Sequence, residues 1–152
     1  MRSASSLVGA RLLPPEPIAG VGTGDSLSRQ ENDAYGVPFD SADERRTSMA
    51  LVARAVRALG IPVWVGGGRP STTALAAEVG AAVNLWEDTA VRVAELSGAG
   101  YEVTWGGPLR GDEAAMAGQL RLLATSGATW AVAAWPESLE AVVEATTLAR
   151  AA

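Results

Sequence analysis

The stretch Ile61-Pro-Val-Trp-Val-Gly-Gly-Gly-Arg-Pro-Ser-Thr-Thr-Ala-Leu-Ala-Ala-Glu-Val-Gly80 decides the fold class. Ile61–Val65 is a short β-type apolar run, Gly66–Pro70 a turn, and Ser71–Val79 a helical segment stopped by Gly80. Strand, glycine turn and helix in immediate succession form the unit from which parallel sheets are built.

The same alternation extends in both directions. Upstream, Ser41-Ala-Asp-Glu44 reads as a capping box, and Met49, Val52, Ala53 and Val56 repeat at helical spacing until Gly60, a face expected to pack on a sheet. Before it, the polar stretch Thr23–Asp40 reads as the longest loop of the chain, preceded by a first strand at Ile18–Val21. Downstream, a third strand is expected at Ala81–Trp86, with a helix through Val91, Ala94 and Leu96 ending in Gly98-Ala-Gly100. A fourth strand at Tyr101–Trp105 leads through Gly106-Gly107-Pro108 to a helix over Asp112–Ser126, with Met116, Leu120 and Leu123 on one face. Thr129–Ala134 makes a fifth strand, and Trp135-Pro136 turns into a terminal helix with Leu139, Val142 and Val143 inward.

This is an α/β chain of five strand–helix units, read as a single domain over residues 1–152. A closed eight-stranded TIM-type barrel takes about 250 residues, so five units make either an open sheet or an incomplete barrel. Ser5–Leu13, ahead of Pro14-Pro15, reads as the end of a preceding unit whose strand is missing.

Composition narrows the chemistry. Hydrophobic residues make up 48% of the chain, yet no apolar run is long enough to cross a bilayer. The N-terminus lacks the apolar core of a secretory signal, so a cytoplasmic protein is expected. Cysteine and histidine are both absent, which removes thiolate nucleophiles, disulfides and the commonest general base and metal ligand. Acid–base work would fall to carboxylates, tyrosine or a cofactor, and no metal site is expected. The net charge is −5 and all 12 basic residues are scattered arginines, so the expected partner is a small molecule rather than nucleic acid.

Three segments could carry a site. Gly20-Val-Gly-Thr-Gly-Asp25 follows the first strand, where loops face ligand in strand–helix folds. Its glycine spacing is not that of a dinucleotide fingerprint, and on spacing alone it is a tight turn. Gly66-Gly67-Gly68-Arg69-Pro70-Ser71-Thr72-Thr73 joins a glycine turn to a helix N-terminus, with an Arg and three hydroxyls, which makes a phosphate cradle. The alternative is that Ser71 merely caps the helix. Asn84-Leu85-Trp86-Glu87-Asp88 ends the next strand and offers an aromatic ring or a polar group to a ligand, unless Asp88 is only a cap. Trp64, Trp105, Trp130 and Trp135 read as core or barrel-mouth packing, and Arg45-Arg46 as a solvated helix face.

The order of these motifs resembles the luciferase-like monooxygenase superfamily of flavin- and deazaflavin-dependent oxidoreductases. The resemblance is carried by Gly20-Val-Gly-Thr-Gly-Asp25, Ala34-Tyr-Gly-Val-Pro-Phe39, Glu44-Arg45, Pro62-Val-Trp-Val-Gly-Gly67 with Gly68, and Ala81-Ala-Val-Asn-Leu-Trp86. It implies the part of a (β/α)8 barrel from about the fourth strand to the eighth. It further implies a deazaflavin (coenzyme F-420) or FMN as cofactor, its phosphate at Gly66, Gly67, Gly68 and Arg69, Trp86 near the same pocket, Gly24 lining the cofactor and Asp25 as an acidic proton donor. The family's first three strands and its long segment before the Pro-Val-Trp-Val strand have no counterpart here. The expected activity is hydride transfer between that cofactor and a small organic substrate. The competing expectations are a non-catalytic half-barrel that pairs with itself or with an N-terminal half-barrel chain, and a sugar-phosphate-binding domain unrelated to redox chemistry.

Overall fold

A computed structural model describes residues 17–24, 26–134 and 138–151. The chain is α/β, with six helices among the described residues and five parallel strands in the order β1-β2-β3-β4-β5. Its residues fall into two compact units, Ile18–Val83 and Asn84–Ala152. No helix among the described residues is long and apolar enough to cross a membrane. Asp25, Trp135, Pro136 and the segment Ser5–Leu13 lie outside the described residues.

In the first unit, β1 (Ala19–Val21) pairs in parallel with β2 (Val63–Gly66), Gly20 opposite Trp64. The second strand begins two residues later than the apolar run suggests. Pro62 has no N–H for a ladder, and its carbonyl instead accepts from Ala19 N–H at 2.9 Å. The expected loop Thr23–Asp40 contains a helix, α1 (Ser26–Tyr35). Its sequence SLSRQENDAY has neither glycine nor proline and several good helix formers, with few apolar residues among them. Gly36, at φ +66°, closes it, with Val37 N–H reaching Asn32 O at 2.8 Å in a Schellman-type end.

α2 (Ala42–Ala58) starts at the Ser41 cap with both capping-box bonds to Glu44 present. It buries Met49 and Ala53 of the expected stripe together with Ala50, whereas Val52 points outward. α3 (Pro70–Val79) packs on α2, and the Arg54–Glu78 ion pair joins their exposed sides. Gly80, at φ +64°, ends α3, and β3 (Ala82–Trp86) begins in this unit with Ala82 and Val83 buried.

The second unit takes the rest of β3, then α4 (Ala90–Gly98), β4 (Val103–Gly107), α5 (Glu113–Thr125), β5 (Ala128–Ala133) and α6 (Leu139–Arg150). Consecutive parallel neighbours joined by right-handed crossovers place α4 and α5 on one face of these strands. Leu85, Val103 and Trp105 are buried there with Val93, Leu96 and Leu123. The buried stripe of α4 is Val93 and Leu96, and Val91 is exposed. Leu139 is likewise exposed in the first turn of α6, which packs on α5 through Met116, Ala117 and Ala145. The opposite strand face carries Asn84, Trp86, Thr104 and Gly106. Asn84 Nδ2 donates to Thr104 Oγ1 at 2.9 Å, and the Trp86 ring lies over Gly106, where a Cβ would stand 3.0 Å from it. A β-bulge pairs Val103 with Ala128 but Thr104 with Trp130, which puts Trp130 and Val132 on this same face.

Candidate functional site

The phosphate cradle expected at Gly66–Thr73 lies wholly in the first unit, past the C-terminal end of β2. The N-cap of α3 is Arg69 rather than Ser71, because Pro70 takes the first helical position, where its fixed φ and missing N–H suit it. Arg69 makes no side-chain cap bond, and among the described residues its guanidinium has no carboxylate partner. Thr72 and Thr73 N–H donate to Arg69 O at 2.9 and 3.0 Å, whereas Ser71 N–H has no partner among the described residues. Two of the three hydroxyls expected to face an anion are occupied. Thr72 Oγ1 donates to Gly67 O and Arg69 O, and Thr73 Oγ1 to Pro70 O at 3.1 Å. Gly67 stands at φ +109°, a conformation reserved for glycine, which turns the strand into the helix. The cradle is therefore a helix N-terminus with an adjoining guanidinium, and its hydroxyls hold the turn.

The second feature of this unit lies beside the Gly20–Gly24 loop, where a cavity of about 420 Å³ opens between Gly20, Gly22, Thr23, Arg45, Ser48 and Met49. Arg45, expected on a solvated face, is half-buried. Its Nε donates to Thr23 O at 2.8 Å, its Nη1 donates to Asp40 O, and its guanidinium stacks 4.0 Å from the centroid of Phe39. Arg29 stands 4.8 Å from that ring. Arg46, the neighbour that looks identical in sequence, instead pairs with Asp43. One signal was available: Phe39 lies six residues before Arg45, ahead of a helix cap, so an aromatic ring is delivered to the first helical turn. Gly24 stands at φ +71° at the end of this loop. At the cap, hydrogen bonding from the Ser41 side chain and then from its backbone amide holds Glu44 below the ordinary carboxylate range.

Trp86 belongs to the second unit, where it is 62% exposed over Gly106. The cap of α4 is Thr89, which accepts from Arg92 N–H at 3.2 Å. Asp88 stands one residue outside, its carboxylate accepting from Thr89 N–H at 2.9 Å. The residue between Trp86 and Asp88 was not singled out by sequence. Glu87 has φ +53°, the one non-glycine residue at positive φ among those described. Its turn is held from the neighbouring strand: Glu87 N–H donates to Gly106 O at 2.7 Å, and Trp105 Nε1 donates to Asp88 O at 2.9 Å. A cavity of about 240 Å³ adjoins it, walled by Trp105, Pro108, Leu122 and Leu123, with Glu87 and Arg110 among its lining.

No family model matches the chain, and no curated protein or solved structure matches it significantly.

Proposed function

We propose that the chain is a luciferase-like oxidoreductase fold, five strand–helix units of a TIM-type barrel, in which the N-terminus of α3 anchors the phosphate of a deazaflavin or FMN cofactor. The observation that carries this reading is the α3 N-terminus, which has no side-chain cap, a Ser71 amide without a partner among the described residues, and Arg69 as its N-cap residue. These are the donors that a phosphate dianion requires. The in-order parallel strands support the barrel reading.

The cofactor's ring would supply the hydride chemistry with a small organic substrate in the cytoplasm. Arg69 and the first turn of α3 would hold and orient its phosphate, Gly66, Gly67 and Gly68 letting the backbone come close. Gly24 would allow the same approach at the ring end, and Asp25 would hold the proton.

Titrating the full chain with each cofactor while following its fluorescence tests the reading. Saturable binding of one is expected, weakened about tenfold by Arg69→Ala through loss of a charge-assisted hydrogen bond. Absence of binding to a folded chain overturns it. A second reading, a half-barrel completed by another copy or by an N-terminal half-barrel chain, is favoured by the exposed Trp86, Trp130 and Val132. Mass measurement in solution separates the two, since the second requires a species larger than the single chain.

A further inference from the structure

The cavity beside Glu87 belongs neither to the phosphate cradle nor to the Arg45 loop, and its construction is specific. Glu87 is held in a left-handed conformation that glycine would adopt without strain, yet glycine is not used. The neighbouring strand fixes that conformation from both sides, through Gly106 O and the Trp105 indole N–H. Gly107 keeps room for it, because a Cβ there would stand 3.2 Å from Glu87 Cγ and 2.8 Å from the Trp105 ring. The carboxylate is thus carried on a stem that the surrounding backbone positions.

Across from it, Arg110 Nη2 stands 4.0 Å from Glu87 Oε2, an ion pair too long for a hydrogen bond. Its main chain is pinned by Gln119, whose Oε1 accepts from Arg110 N–H at 3.1 Å. The apolar part of the lining is Trp105, Pro108, Leu123 and the largely exposed Leu122, and Asp88 and Gln119 are its other polar members. Of the nearby acids, Asp88 is engaged with Thr89 N–H and Asp112 caps α5 by accepting from Ala115 N–H. Glu87 and Arg110 are therefore the two charged groups of the lining whose side chains make no hydrogen bond among the described residues, with the Asp88 carboxylate beside them held by one amide.

A negative and a positive group set a short distance apart over an apolar wall match a molecule with an ammonium and a carboxylate on one carbon and a hydrocarbon side chain. We propose that this cavity binds a free α-amino acid with an apolar side chain, its ammonium on Glu87, its carboxylate on Arg110 and its side chain against Trp105 and Leu122. The volume of about 240 Å³ suits a ligand of that size and falls below that of ordinary cofactor pockets, roughly 300–1,000 Å³.

Calorimetric titration of the full chain with L-leucine, isocaproate and isoamylamine tests this, because the last two each keep the side chain and one charge. L-leucine should bind saturably and at least about tenfold more tightly than either analogue, a difference of about 1.4 kcal/mol. Glu87→Gln should remove the preference for L-leucine over isocaproate, and Arg110→Gln the preference over isoamylamine. Both side chains are substantially exposed, so the variants should fold, as circular dichroism will verify. Equal binding of all three probes, no binding of L-leucine to the folded chain, or retained preferences in both variants would overturn the proposal.

Discussion

The cavity beside Arg45 and the cavity beside Glu87 both follow the C-terminal ends of parallel strands, and they are built in opposite ways. In the first unit a long cation reaches out of a helix to gather the carbonyls of two loops, Thr23 and Asp40, and lies on an aromatic ring. The loop glycines have room to spare there: a Cβ added at Gly20 or Gly22 would meet nothing within 4 Å. In the second unit the site is shaped by packing. All five residues of β4 are buried, and Gly107 is glycine because Trp105 and Glu87 fill the space around it. The difference teaches that glycine-rich loops of similar appearance answer to different constraints, one to a tether and the other to volume.

The sharpest way to break this contrast is to add the same methyl to both. Gly107→Ala should cost about 3 kcal/mol of unfolding free energy in urea, because the contact is with a buried ring that cannot move aside. Gly22→Ala should change stability by no more than about 0.5 kcal/mol. Comparable losses at both positions would erase the distinction.

Removing the tether comes next. Arg45→Ala should destabilise by about 2 kcal/mol through two charge-assisted hydrogen bonds and the Phe39 stack, and Arg45→Lys should restore only part of this because it lacks the planar fork. Arg46→Ala, which loses only an exposed pair with Asp43, should lie within about 0.5 kcal/mol of the parent. Equal effects at the two arginines would mean that the tether contributes nothing.

A smaller effect of opposite sign is expected at Glu87. Glu87→Gly should raise the thermal midpoint by the equivalent of about 0.5–1 kcal/mol, since relief of left-handed strain exceeds the added freedom of the unfolded chain. A lowered midpoint would show that the side chain is there for stability. The smallest effect concerns the tethered helix's own cap. Glu44 is held below its ordinary pKa, so its contribution is present above the unfolded value and fades as pH falls through the lower folded value. The stability gap between the parent and Glu44→Gln should accordingly close on acidification below the usual carboxylate range; a gap independent of pH would discount the capping bond.

Much of the fold was legible because its punctuation is chemical. Ser41 with Glu44 opens a helix, Gly60, Gly80 and Gly127 close helices, and the short apolar runs between them are strands. What escaped was orientation in alanine-rich helices. Where Ala50 and Ala53 can face the core as readily as Val52, hydrophobicity alone does not fix the stripe, and in α6 Ala145 is buried while Leu139 is exposed. α1 escaped because it is mostly polar, with Leu27, Ala34 and Tyr35 its few apolar residues. Of the site, the location of the cradle was legible, but the use of its hydroxyls was not. Thr72 and Thr73 look the same in sequence whether they face an anion or a carbonyl. Glu87 was hidden between two more conspicuous residues, and only its backbone angle sets it apart.

The bulge in β5 has a consequence for how this gene can change length. Thr129 is the extra residue, skipped by the ladder, its hydroxyl donating to Val103 O at 3.2 Å. Losing the Thr129 codon would leave Ala128 opposite Val103 and Trp130 opposite Thr104, as now, and every side chain would keep its face. Losing the codon for Ala131 would turn the residues beyond it over, presenting to the helices what now faces away from them. Within this strand, tolerance of a one-codon deletion is thus concentrated at the bulge, Ala128 and Thr129.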